Sequence, residues 1–278
     1  MRGMFFCLAS GAAFGAMAVF GKLAYAEGAT VGTLLALRFL FASGLFWAGG
    51  AGRALPARRD VLIALGLGAG GYAVQAGFYF AALSRIDAGL LSLLVFTFPV
   101  IVAVAAVALG RERMTRRRAA ALVIALGGTG LFVGSTGAID AVGVALGLGA
   151  AVLYSAYILV SEGVAQRMSP QMLATLVCTG AAAALTVATL VLGEFRPGDL
   201  SLAGWWWLLC LAGVSTVAAI SLFFAGHKRV GPTTSSILAT VEPLATVVLA
   251  FLVFGDTISA LGGAGAALIL MAVVLVSR

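Results

Sequence analysis

Histidine occurs once, at His227, and cysteine three times, at Cys7, Cys178 and Cys210, each far from the others and inside an apolar run. Isolated thiols in odd number give no disulfide framework, and with a lone histidine they give no metal-ligand cluster. The cysteines therefore read as small core residues, and no metal or other cofactor is expected. His227 stands beside Lys228 at the end of an apolar run, where a solvated role is expected rather than proton relay. No G-x-x-x-x-G-K-[ST] loop is present, which disfavours direct ATP drive, and the glycine-rich stretch 66–71 resembles a phosphate loop only superficially. Enzyme chemistry would need paired carboxylates, a metal cluster or a nucleophile with its base, and the chain offers one deep acid and one peripheral histidine. Charge itself is scarce. Only 10% of the 278 residues are charged while 62% are hydrophobic, too little polar surface for a protein that faces water. The net charge of +7 does not indicate nucleic acid, because no basic helix face is interleaved with aromatics and the arginines fall between apolar runs.

What fills the chain is membrane-spanning sequence. Apolar runs of spanning length fall at 3–26, 31–50, 60–83, 89–109, 117–136, 141–161, 171–192, 204–226, 233–254 and 258–276, which predicts ten helices joined by short loops. The first run is long for a signal peptide and has no convincing cleavage site, so it reads as a retained helix. Basic residues set the orientation. Thirteen of them (Arg2; Arg53, Arg58, Arg59; Arg111, Arg113, Arg116, Arg117, Arg118; Arg167; Lys228, Arg229; Arg278) lie on one side, and only Arg85 and Arg196 on the other. This split puts both termini in the cytoplasm, which requires an even number of helices. Lys22 and Arg38 remain inside helices. Both are expected near enough to the outer interface to snorkel, with orientation of a substrate carboxylate as a further role for Arg38.

The two intramembrane prolines organise the chain. Glu242-Pro243 lies about ten residues from either end of the run Thr233–Phe254, roughly 15 Å deep at 1.5 Å per residue, the middle of a bilayer. Proline donates no hydrogen bond, so the helix should bend or loosen where the carboxylate sits. Phe98-Pro99 occupies the same place in the run Gly89–Leu109. A shift of 144 residues lays Arg85 on Arg229, Pro99 on Pro243, Glu112 on Asp256 and Thr115 on Ser259; near the start of each half a shift of 140 pairs Phe14 with Tyr154 and Gly15 with Ser155. Each half, 1–137 and 138–278, is thus five helices. An odd number reverses direction, so the halves are expected to be inverted copies.

Two five-helix halves, each with a proline midway along its fourth helix, then apolar residues, an acidic residue and a further helix, resemble the EamA-type members of the drug/metabolite transporter superfamily. The residues that carry the likeness are Pro99 to Gly110-Arg111-Glu112 and Pro243 to Phe254-Gly255-Asp256, with Arg38-Phe39 in the second helix. The likeness covers essentially the whole chain. It implies an all-α integral membrane fold and a secondary transporter. The aromatic and neutral amino acid exporters look most similar, because they too place large aromatics before the first proline and at the start of the second half; tryptophans there in some relatives are Phe98 and Tyr154 here.

Candidate substrate-binding residues follow from depth and helical spacing. Phe96 and Phe98 approach Pro99 at the depth of Glu242 and should face a central cavity between the halves, or else lipid. Tyr154 and Tyr157 share a helix face, as do Phe14 and Met17 in the first half. Tyr72, Gln75 and Tyr79 form one stripe of the third helix, and the amide calls for partners in protein or water, whether a cavity or an interhelical hydrogen bond. Glu242 can hold a substrate ammonium, carry a proton because burial disfavours its charged form, or serve structure alone. Pro99 and Pro243 are candidate hinges, with static kinks as the alternative. Gly66 with Gly70, Gly11 with Gly15, and Gly143 with Gly147 are four apart and read as close helix contacts. The expected protein is a multi-pass transporter of a bacterial inner membrane, most consistent with export of amino acids. Alternatives are another metabolite class, such as a drug or nucleotide sugar, or a membrane-embedded enzyme. Its partners are the lipid bilayer and a small-molecule substrate, and it is expected to be a monomer.

Overall fold

The computed structural model describes residues 2–49, 56–110, 140–226, 229, 238, 241–255 and 259–277, with 116–117, 119–120, 123–124, 127–128 and 131. The fifth apolar run, the cluster Arg111–Arg118, His227 and the first half of the run Thr233–Phe254 fall largely or wholly outside them. Among the described residues the fold is helical, without a strand. Its long helices are α1 (Arg2–Ala26), α2 (Val31–Ala48), α3 (Arg58–Leu83), α4 in two pieces (Ala88–Val95 and Phe98–Ala108), α5 (Ala141–Ala165), α6 (Pro170–Val191), α7 (Leu202–Gly226), α8 (Val241–Phe254) and α9 (Ala260–Ser277). Six of these are long and apolar enough to cross a membrane by themselves.

Short polar side chains set where the helices begin. Thr30 Oγ1 accepts the Thr33 N–H at 3.0 Å, Ser201 Oγ the Gly204 N–H at 3.1 Å, and Asp140 Oδ1 the N–H groups of Val142 and Gly143 at 2.8 and 3.1 Å. Those bonds, above all from Gly143, and the Arg85 guanidinium hold the Asp140 carboxyl below its usual range. Four turns at helix ends carry glycine at positive φ, Gly28, Gly110, Gly193 and Gly255.

Loop contacts define two opposite faces. On one, Lys22 pairs with Asp87 at 3.3 Å, Arg85 with Asp140 at 3.0 Å, and Thr30 bonds the Glu194 carbonyl at 2.8 Å. On the other, Arg167 pairs with Asp60 at 2.8 Å, and Arg229 lies 5.1 Å from the Phe6 ring. α1 therefore runs toward the Lys22–Asp87 face, whereas α5, its counterpart in the second half, starts at that face and runs away from it.

Each half's first helix packs on the other half's fourth. A Cβ placed on Gly15 of α1 would lie 2.7 Å from the Glu242 carbonyl oxygen of α8, so only glycine permits this approach. Thr246 Oγ1 then reaches across to the Gly15 carbonyl at 3.0 Å. In the other half Ser155 of α5 donates to the carbonyl of Phe98 in α4 at 3.2 Å. Positions 15 and 155, matched by sequence, thus meet the carbonyls of 242 and 98, also matched by sequence. Gly143 and Gly147 meet Ile86 and Leu94 as close contacts. Gly66 and Gly70 do not: a Cβ on either would have nothing within 4 Å. The glycines that let α3 and α6 touch are Gly68, against the Val177 backbone, and Gly180, against the Leu65 backbone.

The winding of the helix also changes in this region. α3 contains a π-turn over Leu67–Tyr72, and α7, the third helix of the second half, contains one over Gly213–Ala218. A π-turn inserts one residue into the helical repeat and rotates the faces that follow. α4 is interrupted at Phe96-Thr97, immediately before Pro99; Thr97 Oγ1 donates to the Leu94 carbonyl at 2.7 Å across the break.

Candidate substrate site

The two π-turns and the α4 break bring together side chains from both halves. Phe98 lies 5.7 Å from Phe96 and 4.8 Å from Tyr154; Tyr154 stacks on Tyr157 at 6.2 Å; Tyr157 meets Tyr72 at 5.5 Å, and Tyr72 meets Phe39 at 5.5 Å, edge to face. The rings thus form one chain across α4, α5, α3 and α2. Offset and edge-on pairs of this kind add about 0.5–1.5 kcal/mol each beyond area burial. Tyr79 pairs instead with its sequence neighbour Phe80, at 5.1 Å. Of the other residues expected here, Met17 is drawn in through its sulfur, described below. Phe14 is half-buried on α1 and makes no ring contact with this chain among the described residues.

Glu242 faces the same region. It is half-buried, and its charge lies within coulombic range of the hydroxyls of Tyr72, Tyr79 and Tyr154. Pro243 beside it is buried.

Several polar groups here have no hydrogen-bond partner among the described residues. Gln75 is 8% exposed and Tyr79 6%, yet neither side chain hydrogen-bonds any described residue, and the same holds for the carboxylate of Glu242 and the hydroxyls of Tyr154 and Tyr157. Among the described residues, the buried side-chain oxygens and nitrogens that are both unpaired and fully occluded are Thr186 Oγ1 and Ser215 Oγ, and no atom of the candidate residues is one of them. Polar groups in a hydrocarbon interior are tolerated where they are bonded within the protein or line a wet cavity.

Arg38 departs from the expectation drawn from sequence. It does not snorkel to an interface: the residue is 2% exposed. Seven residues into α2, its Cα is about 10 Å from the helix end at 1.5 Å per residue, beyond what the side chain can span. Its Nε donates to Thr216 Oγ1 at 3.0 Å and Nη2 to Met17 Sδ at 3.1 Å, and its guanidinium lies 5.0 and 5.2 Å from the rings of Phe39 and Phe80. Thr216 in turn donates to the Leu211 carbonyl five residues back, the spacing of the π-turn. Tyr72, at the end of the other π-turn, makes polar contact with the same guanidinium. Thr216 and the π-turns had no marker in the sequence, but an arginine deep in an apolar run was a usable signal.

A pocket of about 540 Å³ opens on the Lys22–Asp87 face, lined by that ion pair with Tyr25, Leu83 and Phe254 among others. Of these lining residues, Tyr25 donates its hydroxyl to the Phe80 carbonyl at 2.8 Å, within coulombic range of Tyr79 and Arg38.

The doubled arrangement, first helix on fourth and π-turn for π-turn, is matched in the comparison of the sequence with protein families. The description "EamA-like transporter family" fits residues 1–134 and, a second time, residues 141–278. The chain belongs to the EamA-like transporter family. As an EamA-like protein it is a multi-pass membrane protein built from two copies of one unit. No curated protein matches it significantly. A solved structure, described only as a crystal structure of a protein, superposes with a TM-score of 0.69 at 18% identity, covering 98% of this chain and 95% of its own. That likeness concerns the fold.

Proposed function

We propose that this EamA-like protein is a secondary transporter that exports small zwitterionic or neutral metabolites, amino acids above all, by alternating access between inverted halves 1–137 and 138–278. In this reading ten helices cross a bacterial inner membrane and both termini are cytoplasmic. The start of α4 and the start of α5 on the same Lys22–Asp87 face support this count. The observation that carries the proposal is an aromatic chain at the junction of the two halves in which the Tyr154 and Tyr157 hydroxyls have no hydrogen-bond partner among the described residues, with Glu242 within coulombic range of its Tyr72 and Tyr154 hydroxyls. Aromatic faces supply apolar area, and a few polar groups fix orientation, the composition of a small-molecule site. Pro99 and Pro243, beside Phe98 and Glu242, are the hinges of this scheme. Drug and nucleotide-sugar transport are its competitors.

The test is flux in proteoliposomes with labelled amino acids, sugars and nucleotide sugars, with and without a pH gradient. Saturable movement of amino acids is expected. Movement of sugars or nucleotide sugars alone would overturn the substrate class, and movement of none would overturn the transport reading.

A further inference from the structure

Arg38 is a buried cation that no acidic group among the described residues neutralises. Every group that touches it, the hydroxyls of Thr216 and Tyr72, the Met17 sulfur and the faces of Phe39 and Phe80, is neutral, and among the described residues no carboxylate lies within 4.0 Å. A guanidinium carries five N–H donors in a planar fork. Here Nε is bound to Thr216 Oγ1, one Nη2 hydrogen points at a sulfur, a weak acceptor, and the Tyr72 hydroxyl lies against the same guanidinium, which leaves part of the fork without an acceptor among the described residues. No Arg38 nitrogen is among the described side-chain atoms that are both unpaired and fully occluded. Within an apolar interior an unpaired charge of this kind is strongly unfavourable. The fork's vacant edge has the geometry that binds a planar anion through two parallel hydrogen bonds.

Both repeats are bent to hold this arginine. The π-turn of α7 presents Thr216 to Nε, and that of α3 ends at Tyr72 beside the same guanidinium. π-turns are rare and concentrate at functional sites. The apolar walls lower the local dielectric and strengthen any ion pair formed there. Tyr25, one of the residues lining the pocket on the Lys22–Asp87 face, lies within coulombic range of Arg38.

Resting on the transport reading above, we infer that Arg38 is the anion subsite of the cavity: it binds the carboxylate of the transported molecule, with Tyr72 as a second donor. The substrate class is then a carboxylate-bearing metabolite whose apolar part lies along Tyr72, Tyr157, Tyr154 and Phe98.

The test uses the full-length protein in detergent. Thermal unfolding is followed by intrinsic fluorescence during titration with the natural L-amino acids other than tryptophan, then with the carboxamide and the decarboxylated amine of each stabilising compound. Acids are expected to bind at least about tenfold more tightly than their amides, since a site built for a charged hydrogen-bond partner rejects analogues lacking it. Arg38→Gln should weaken acid binding by about thirtyfold or more, the usual effect of removing one member of a buried charge pair, and leave amide binding unchanged. Arg38→Lys should fall between. If Arg38→Gln does not fold, Tyr72→Phe, which leaves the charge in place, should selectively weaken the acids. Equal binding of acid and amide, undiminished acid binding after these substitutions, or no stabilisation by any acid would overturn the assignment. Flux of carboxylate-free solutes in proteoliposomes would then show that transport stands without it, whereas absence of all flux would remove the transport reading itself.

Discussion

At the residue scale the site is asymmetric although the scaffold is doubled. Glu242 and Phe98 are repeat partners, and one is an acid where the other is an aromatic ring. Glu242 accepts no hydrogen bond from described residues, and a carboxylate in an apolar interior is stabilised by a proton or by a cationic group. Replacement by glutamine keeps the shape and removes both the charge and the proton site. For Glu242→Gln in proteoliposomes the expected outcome is loss of acceleration by a pH gradient, with substrate exchange intact. Wild-type response to the gradient would leave this acid a structural role only. Glu242 was legible from sequence because an acid ten residues inside an apolar run has few innocent explanations. Arg38 was half legible. Its depth was visible, but the sulfur, hydroxyl and ring faces that hold it come from three other helices, and no linear pattern places them together.

At the element scale the repeat was readable while the winding was not. The pairing of 15 with 155 and of 98 with 242 relied on residue identities at fixed offsets, and the first-on-fourth helix packing meets at those positions. The π-turns LGAGGY and GVSTVA have the composition of ordinary apolar helix, so hydropathy gives no sign of them. The glycine register was misread. Gly66 and Gly70 share the spacing of a contact pair, but it is Gly68 that meets α6. Gly68→Ala would drive a methyl into the Val177 backbone carbonyl, which cannot rotate away, and should destabilise the protein by about 1–3 kcal/mol. Gly66→Ala meets nothing and removes a helix-interior glycine, so it should be neutral or stabilising by up to about 1 kcal/mol. Thermal unfolding of the two variants in detergent measures the difference. Equal melting temperatures would show that α3 and α6 do not approach at Gly68.

At the scale of the whole molecule the question is which face meets the cytoplasm. The ion pairs and caps sort the loops into two groups: Lys22–Asp87, Arg85–Asp140 and the Glu194 turn on one face, Asp60–Arg167 and Arg229 beside Phe6 on the other. That grouping comes from contacts alone, and it agrees with the grouping of loops inferred from helix count, in which arginine crowds one side. Cytoplasmic loops retain arginine and lysine because moving such charges across the membrane during insertion is unfavourable. The Asp60–Arg167 face is therefore expected inside. The prediction is read by single cysteines at exposed sites of a cysteine-free background, with Cys7, Cys178 and Cys210 replaced. In intact cells an impermeant thiol reagent should label Ser84→Cys and Gly198→Cys, and should reach Ala57→Cys and Ser169→Cys only after permeabilisation. The reverse pattern would invert the molecule in the membrane. Labelling of Ser84→Cys and Ala57→Cys from the same side would break the assignment of α3 as a single crossing, since the two sites flank its ends.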